Sequence, residues 1–202
     1  MFENCWAFYN GYGTSFGSLG DGNGFKAGGY GGRAAADVPN PVPRNTVRFC
    51  LAVRNKANGF YSNHHIQGSD WYNNSAYLNG INYNMLNRLA DNKTDVPGYH
   101  HIMKNNLGFA ARSAEYANIN TDSSDVTNNY FNLPVKVSEA DFISLDQSQL
   151  TAPRQADGSL PAIDFMKLKP GSALIDLGVN VGFPFQGKAP DLGYRENGIG
   201  LK

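Results

Sequence analysis

The sequence predicts an all-β fold: a right-handed parallel β-helix, or solenoid, closed by an irregular C-terminal cap. Composition supports this, because 24 of the 202 residues are Asn and 23 are Gly. Both types favour turns and left-handed backbone positions, and their abundance argues against a helical bundle. A second observation is an internal repeat at solenoid-like spacing. A third is length: 202 residues leave room for a single domain with a real core.

The repeat starts at the first residues. Phe2-Glu3-Asn4-Cys5-Trp6-Ala7-Phe8-Tyr9-Asn10 returns as Val47-Arg48-Phe49-Cys50-Leu51-Ala52-Val53-Arg54-Asn55. It returns again as Trp71-Tyr72-Asn73-Asn74-Ser75-Ala76-Tyr77-Leu78-Asn79. The shared core is Cys or Asn, any residue, Ala, two residues, Asn. Weaker copies follow at Lys104-Asn105-Asn106-Leu107-Gly108-Phe109 and Thr127-Asn128-Asn129-Tyr130-Phe131-Asn132.

From Cys5 to Cys50, Asn74 and Asn106 the steps are 45, 24 and 32 residues. A bare rung takes roughly 20–25 residues, so the longer steps are rungs carrying inserted loops. Residues 12–22 and 28–46, rich in Gly and Pro, are the first such insertions. Asn23-Gly24-Phe25 and Asn58-Gly59-Phe60 form a second repeat, which marks another strand of the same rungs.

Stacked rungs give these positions distinct duties. Small Ala fits where the coil narrows, and aromatic and aliphatic side chains fill the interior. Asn10, Asn55 and Asn79 read as structural, with amides bonded up and down a ladder. Cys5 and Cys50 become neighbours in an interior stack and are read as free buried thiols rather than a disulfide.

Residues 1–132 therefore form the rungs, and 133–202 a capping segment of the same domain. From about Leu133 the acids multiply and the Asn repeat fades. The cap is expected to cover the open end of the coil, which would otherwise expose strand edges. Asp176 and Asp191 read as turn residues.

Charge excludes several partners. Seventeen basic residues balance 17 acidic ones, so no field for nucleic acid exists overall. Residues 1–69 are mildly basic, with Glu3, Asp21 and Asp37 set against Lys26, Arg33, Arg44, Arg48, Arg54 and Lys56. No apolar run is long enough to span a membrane. The opening Met-Phe-Glu-Asn-Cys-Trp lacks the basic and apolar regions of a signal peptide.

Common chemistries find little support. The two cysteines have no zinc-type spacing. The paired histidines His64-His65 and His100-His101 would point to opposite faces of a strand, which disfavours a shared metal. No Gly-x-Ser-x-Gly elbow is present. The acid-poor N-terminal region makes a glycosidase carboxylate pair hard to assemble there.

One segment remains: Gly20-Asp21-Gly22-Asn23-Gly24-Phe25-Lys26-Ala27-Gly28-Gly29, a lone lysine in a glycine-rich stretch. It has neither the Gly-Lys-Ser/Thr of a phosphate loop nor a following helix period. With the Asn rungs and the closing tail, it resembles family 9 polysaccharide lyases, pectate lyases built on a parallel β-helix. The resemblance covers almost the whole chain, but only the C-terminal part of that family's catalytic domain.

The resemblance implies that Lys26 is the base that starts β-elimination of an acidic polysaccharide, pectate or a related uronan. It implies a secreted or cell-surface protein. It also implies calcium in full-length relatives, held by aspartates on the rung before the lysine. This sequence begins after that rung, and Asp21 alone cannot supply the 6–8 oxygens calcium takes. The chain is thus expected to be incomplete or inactive by itself, and either to self-associate through an exposed first rung, residues 2–11, or to lose order there. No metal ligand and no substrate-binding residue beyond Lys26 is assigned. The other reading is a noncatalytic carbohydrate-binding or adhesin-like β-helix.

Overall fold

The computed structural model describes residues 1–198. Each turn of the coil lays down three short strands, too short to be stable except by stacking. The first turn holds β1 (Phe2–Glu3), β2 (Trp6–Phe8) and β3 (Phe25–Lys26). The second holds β4 (Thr46–Arg48), β5 (Leu51–Val53) and β6 (Asn58–Tyr61). The third holds β7 (Asp70–Tyr72), β8 (Ser75–Tyr77) and β9 (Ile81–Asn84). An antiparallel excursion, β10 (Asn87–Arg88) with β11 (Asp95–Val96), leads into the fourth. That turn holds β12 (Ile102–Lys104), β13 (Leu107–Phe109) and β14 (Ala114–Ala117), and β15 (Asp125–Thr127) opens a fifth.

Stacking produces three parallel sheets: A (β1-β4-β7-β12-β15), B (β2-β5-β8-β13) and C (β3-β6-β9-β14). The register is the one the repeat predicts. Trp6 pairs with Leu51, and Leu51 with Ser75, so Cys5, Cys50 and Asn74 lie one residue earlier on successive rungs. Both cysteines are free. The right-handed parallel β-helix is thus the observed fold.

The corners explain the asparagines. Between sheets A and B the chain turns at Asn4, Phe49, Asn73, Asn105 and Asn128, whose φ values are 50, 53, 49, 61 and 54°. Asn tolerates this left-handed region best among non-glycine residues, and all but Phe49 are Asn. The following residue builds the ladder. Asn74 Oδ1 accepts from the Cys50 N–H at 3.1 Å, and the Asn74 amide donates to Asn106 Oδ1 at 2.9 Å. Asn106 in turn donates to Asn129 Oδ1 at 2.8 Å.

The B–C corner carries a second ladder. The Asn55 amide donates to Asn79 Oδ1 at 2.8 Å, and Asn79 donates to Asn82 Oδ1 at 2.9 Å. Asn82 ends the series by donating to the Glu115 carboxylate at 2.7 Å. A Cβ on Gly24 would meet the Asn55 amide at 2.7 Å, and one on Gly59 the Asn79 amide at 2.6 Å. The Asn-Gly-Phe repeat therefore exists because the ladder amides occupy the space of a side chain. The next residue fills the interior: Phe25, Phe60 and Tyr83 stack with centroids 5.1 and 5.0 Å apart.

Beyond β15 the chain closes the coil and then climbs its side. Tyr130 and Phe131 cover the end, their rings 6.2 and 6.4 Å from Tyr83. Later residues pack along the outer face of sheet B, with Phe142 against Phe109 and Phe165 against Tyr77. Two 3-10 turns, Glu139–Asp141 and Gln147–Thr151, punctuate this ascent. Leu51, Val53, Ser75, Tyr77 and Leu107 are consequently buried from both faces. The tail is a side wall as much as a lid, because an outward row of Val, Tyr and Phe on sheet B needs covering too. Asp176 and Asp191 accept backbone N–H bonds within this wall, from Lys188 and Asn197 among others.

Candidate functional site

Alternation along β3 decides where the lysine goes. Phe25 is buried in the aromatic stack, so Lys26 must point outward from sheet C. Its register partner on the next rung is Tyr61. Lys26 is 45% exposed and lies in an open groove of about 310 Å3, lined also by Asp21, Asn23, Asn58, Tyr61 and His64.

The floor of this groove is a third amide ladder, on the outside of the coil. Asn23 Oδ1 accepts from the Asn58 amide at 2.6 Å, and Asn58 Oδ1 from Asn84 at 3.1 Å. Asn84 Oδ1 accepts from Asn118 at 2.8 Å. One side is the glycine-rich loop, where Asp21 stands 3.5 Å from the Lys26 ammonium. Asp21 is 80% exposed, so this is a solvent-screened surface pair that holds the lysine weakly.

The other side is a hydrogen-bonded row. Tyr61 Oη lies 2.9 Å from His64 Nε2, and His64 Nδ1 lies 2.7 Å from Asp95 Oδ1. Arg88 Nε donates to the same Asp95 oxygen at 2.7 Å. The carboxylate accepts from Nδ1–H, which leaves Nε2 to accept from the Tyr61 hydroxyl. Asp95 is held below the usual carboxylate range, chiefly by the Arg88 hydrogen bond. Burial, then the nearby Asp95 charge, pushes the Tyr61 phenol upward, so it keeps its proton at neutral pH.

The histidine pairs sit in turns rather than on strands, and in each pair the first residue turns the chain at φ 55°, which sends the two rings apart. His64 faces the groove while His65 is buried, with its ring nitrogens near the carbonyls of Gly29 and Pro43. His100 is exposed and His101 is buried.

Sequence reading missed Tyr61, His64, Asp95 and Arg88. For Tyr61 a signal existed, since Asn58-Gly59-Phe60-Tyr61 repeats Asn23-Gly24-Phe25-Lys26 one rung later. For Asp95 and Arg88 none did, because a non-repeating excursion brings them in.

The residues present do not fit calcium. Among the described residues no three His, Cys, Asp or Glu side chains converge as a ligand set. Asp21 is the one carboxylate lining the groove, and it contacts the lysine.

Residues 1–106 match the family described as "Pel9A-like, right handed beta helix region". The chain is 32% identical over 196 residues to pectate lyase L of Dickeya dadantii (strain 3937), and equally to that of Dickeya chrysanthemi. These alignments cover 96% of this chain and 41% of each relative. Among solved structures it resembles a rhamnogalacturonan lyase with a TM-score of 0.76 and 44% identity. That match covers 84% of this chain and 43% of the lyase. A crystal structure of pectate lyase Pel9A matches with a TM-score of 0.75 and 32% identity, over 96% of this chain and 44% of that one. The chain thus spans about two fifths of the length of the curated relatives it matches.

Proposed function

Because this chain belongs to the Pel9A-like right-handed β-helix family, we propose that it forms part of a lyase that cleaves an acidic polysaccharide by β-elimination. Lys26 is the base. The observation that carries this reading is its position: an outward lysine on a strand, in an open groove, beside hydrogen-bonded asparagine amides. A base must reach its substrate's proton, and strand placement fixes it better than a loop would.

In this reading Lys26 Nζ takes the proton from C5 of a uronate residue. The electrons of that C–H bond form the C4–C5 double bond as the C4–O bond breaks, and the departing oxygen takes a proton from solvent. Asn23 and Asn58, which line the groove, offer hydrogen-bonding groups to the sugar lying over them, while the His64–Asp95–Arg88 row holds Tyr61 still. Calcium, where a relative binds it, supplies positive charge to the substrate carboxylate. Among the described residues no set of ligands for it converges, so no step is assigned to it.

Pectate and rhamnogalacturonan are the substrates in the relatives' names, and an acidic polymer of that kind, met outside the cell, is the proposed substrate here. The test is the ultraviolet absorbance of unsaturated uronides, released by the protein supplied with calcium and any ligands from outside these residues. Lys26→Ala is expected to lower the rate about 10²–10⁴-fold. Lys26→Arg should be equally inactive, because arginine keeps its proton. Full activity in either variant would refute the base assignment. The same amide-lined groove would also suit a noncatalytic carbohydrate-binding or adhesin-like β-helix, and the same assay separates the two, since binding alone creates no double bond.

A further inference from the structure

A second concavity opens beside the lysine groove, where the 30–34 loop meets the β10–β11 turn. It encloses about 610 Å3 and is lined by Arg33, Arg88 and Lys93, with Gly32, Asp91 and Asn92. The site is built rather than incidental. Asn92 is 4% exposed and staples the two loops together. Its amide donates to the carbonyls of Tyr30 at 2.6 Å and Arg33 at 2.8 Å, and its Oδ1 accepts from the Gly32 N–H. Arg33 is steadied over the Tyr30 ring, 5.6 Å from its centroid.

The charges in this cleft differ in how free they are. Arg88 is committed to Asp95. Asp91 accepts from the Thr94 hydroxyl and from the backbone N–H groups of Thr94 and Lys93, so it is engaged within its own turn. Arg33 and Lys93 make no ion pair among the described residues, and both are exposed. Two unpaired cations thus flank a wide cleft. It joins the lysine groove through one row, because Arg88 lines the cleft and shares Asp95 with His64.

We propose that this cleft is a distal subsite in which Arg33 and Lys93 bind the carboxylate of a uronate residue away from the scissile bond. The proposal rests on the lyase reading for its ligand class. A planar guanidinium matches a carboxylate in two parallel hydrogen bonds, and Lys93 adds a point charge on the opposite wall. A polymer lying along sheet C reaches it only when several residues long, so the subsite selects for chain length.

The test is calorimetric titration of the Lys26→Ala protein, in which no chemistry disturbs binding. The probes are oligogalacturonates and rhamnogalacturonan oligosaccharides of increasing length. Affinity is expected to rise with length in at least one series. Combined Arg33→Ala and Lys93→Gln should weaken the longest oligomer about ten-fold or more and leave the shortest unchanged. The same substitutions should flatten the salt dependence, while Lys188→Gln, on the cap, changes nothing. Equal loss at every length, no loss, or no binding in either series would overturn the subsite. Failure of the lyase reading looks different, since the protein with Lys26 intact would then form no unsaturated product even with calcium supplied, while binding still graded with length.

Discussion

Two corners of the same coil follow opposite rules. At the A–B corner every rung spends one residue near φ 50° and follows it with a Cys or Asn in line with its neighbours. At the C–A corner the connections are residues 27–45, 62–69, 85–101 and 118–124, no two alike in content. The first corner carries each rung's backbone bonds to the next, so any change is felt by three rungs at once. The second is free to vary, and its loops supply His64, Asp95, Arg88, Arg33 and Lys93. Repetition holds the coil together, and departure from it makes the groove.

The widest separation between the corners should come from Asn74→Ala. Asn74 is fully buried, and its side chain bonds the Cys50 N–H, the Val47 carbonyl and the Asn106 amide oxygen. Orphaning these groups is expected to cost about 3–5 kcal/mol, a fall of roughly 6–20 °C in Tm for a chain of this size. Arg33→Ala at the other corner should stay within about 0.5 kcal/mol. Comparable losses by calorimetry would erase the contrast.

Acid sharpens it from the other direction. His101, beneath the C–A corner, accepts at Nδ1 from the Ser69 N–H and the Trp71 indole, and its Nε2 faces Asn87 Oδ1. Burial foremost lowers it from 6.5 to about 4, with Arg44, His65 and His100 adding repulsion. The unfolded chain therefore binds the extra proton first. Stability from His101 is full above about pH 6.5 and drains away as pH falls toward about 4, by up to roughly 3 kcal/mol. The amides have no such dependence. His101→Gln should flatten urea midpoints measured across that window, and an unchanged slope would contradict the assignment.

The smallest effect is chemical. Burial pushes the Cys50 thiol up to about 12, so alkylation at neutral pH should stop at Cys5 on the half-buried first rung. Mass spectrometry showing Cys50 modified in the folded protein would mean that the interior stack opens.

Legibility follows the same division. Cys5, Cys50, Asn74 and Asn106 are visible in sequence because identical stacking demands select similar residues at each turn. Lys26 is visible because its glycine-rich context matches a known family. Asn82 is not, since it breaks the Gly24–Gly59 pattern in order to receive the Asn79 amide, and its partner Glu115 lies on another rung. The β10–β11 excursion is likewise silent, as it uses neither the period of the coil nor a recognisable turn. Reading Asn58-Gly59-Phe60-Tyr61 one residue further would have placed Tyr61 beside the lysine.

The climbing tail has a consequence for how the molecule comes apart. A solenoid whose rungs touch only their neighbours can fray from either end, one rung at a time. Here Gln147 accepts from the Tyr9 hydroxyl on the first turn, Phe183 packs on Phe49 and Tyr72 in the second and third, and Leu177 accepts from Asn128 at the last. One segment is bolted to both ends of the stack. Losing a terminal rung means lifting this strap, and lifting it uncovers sheet B along its length, so the coil is built to melt as a unit.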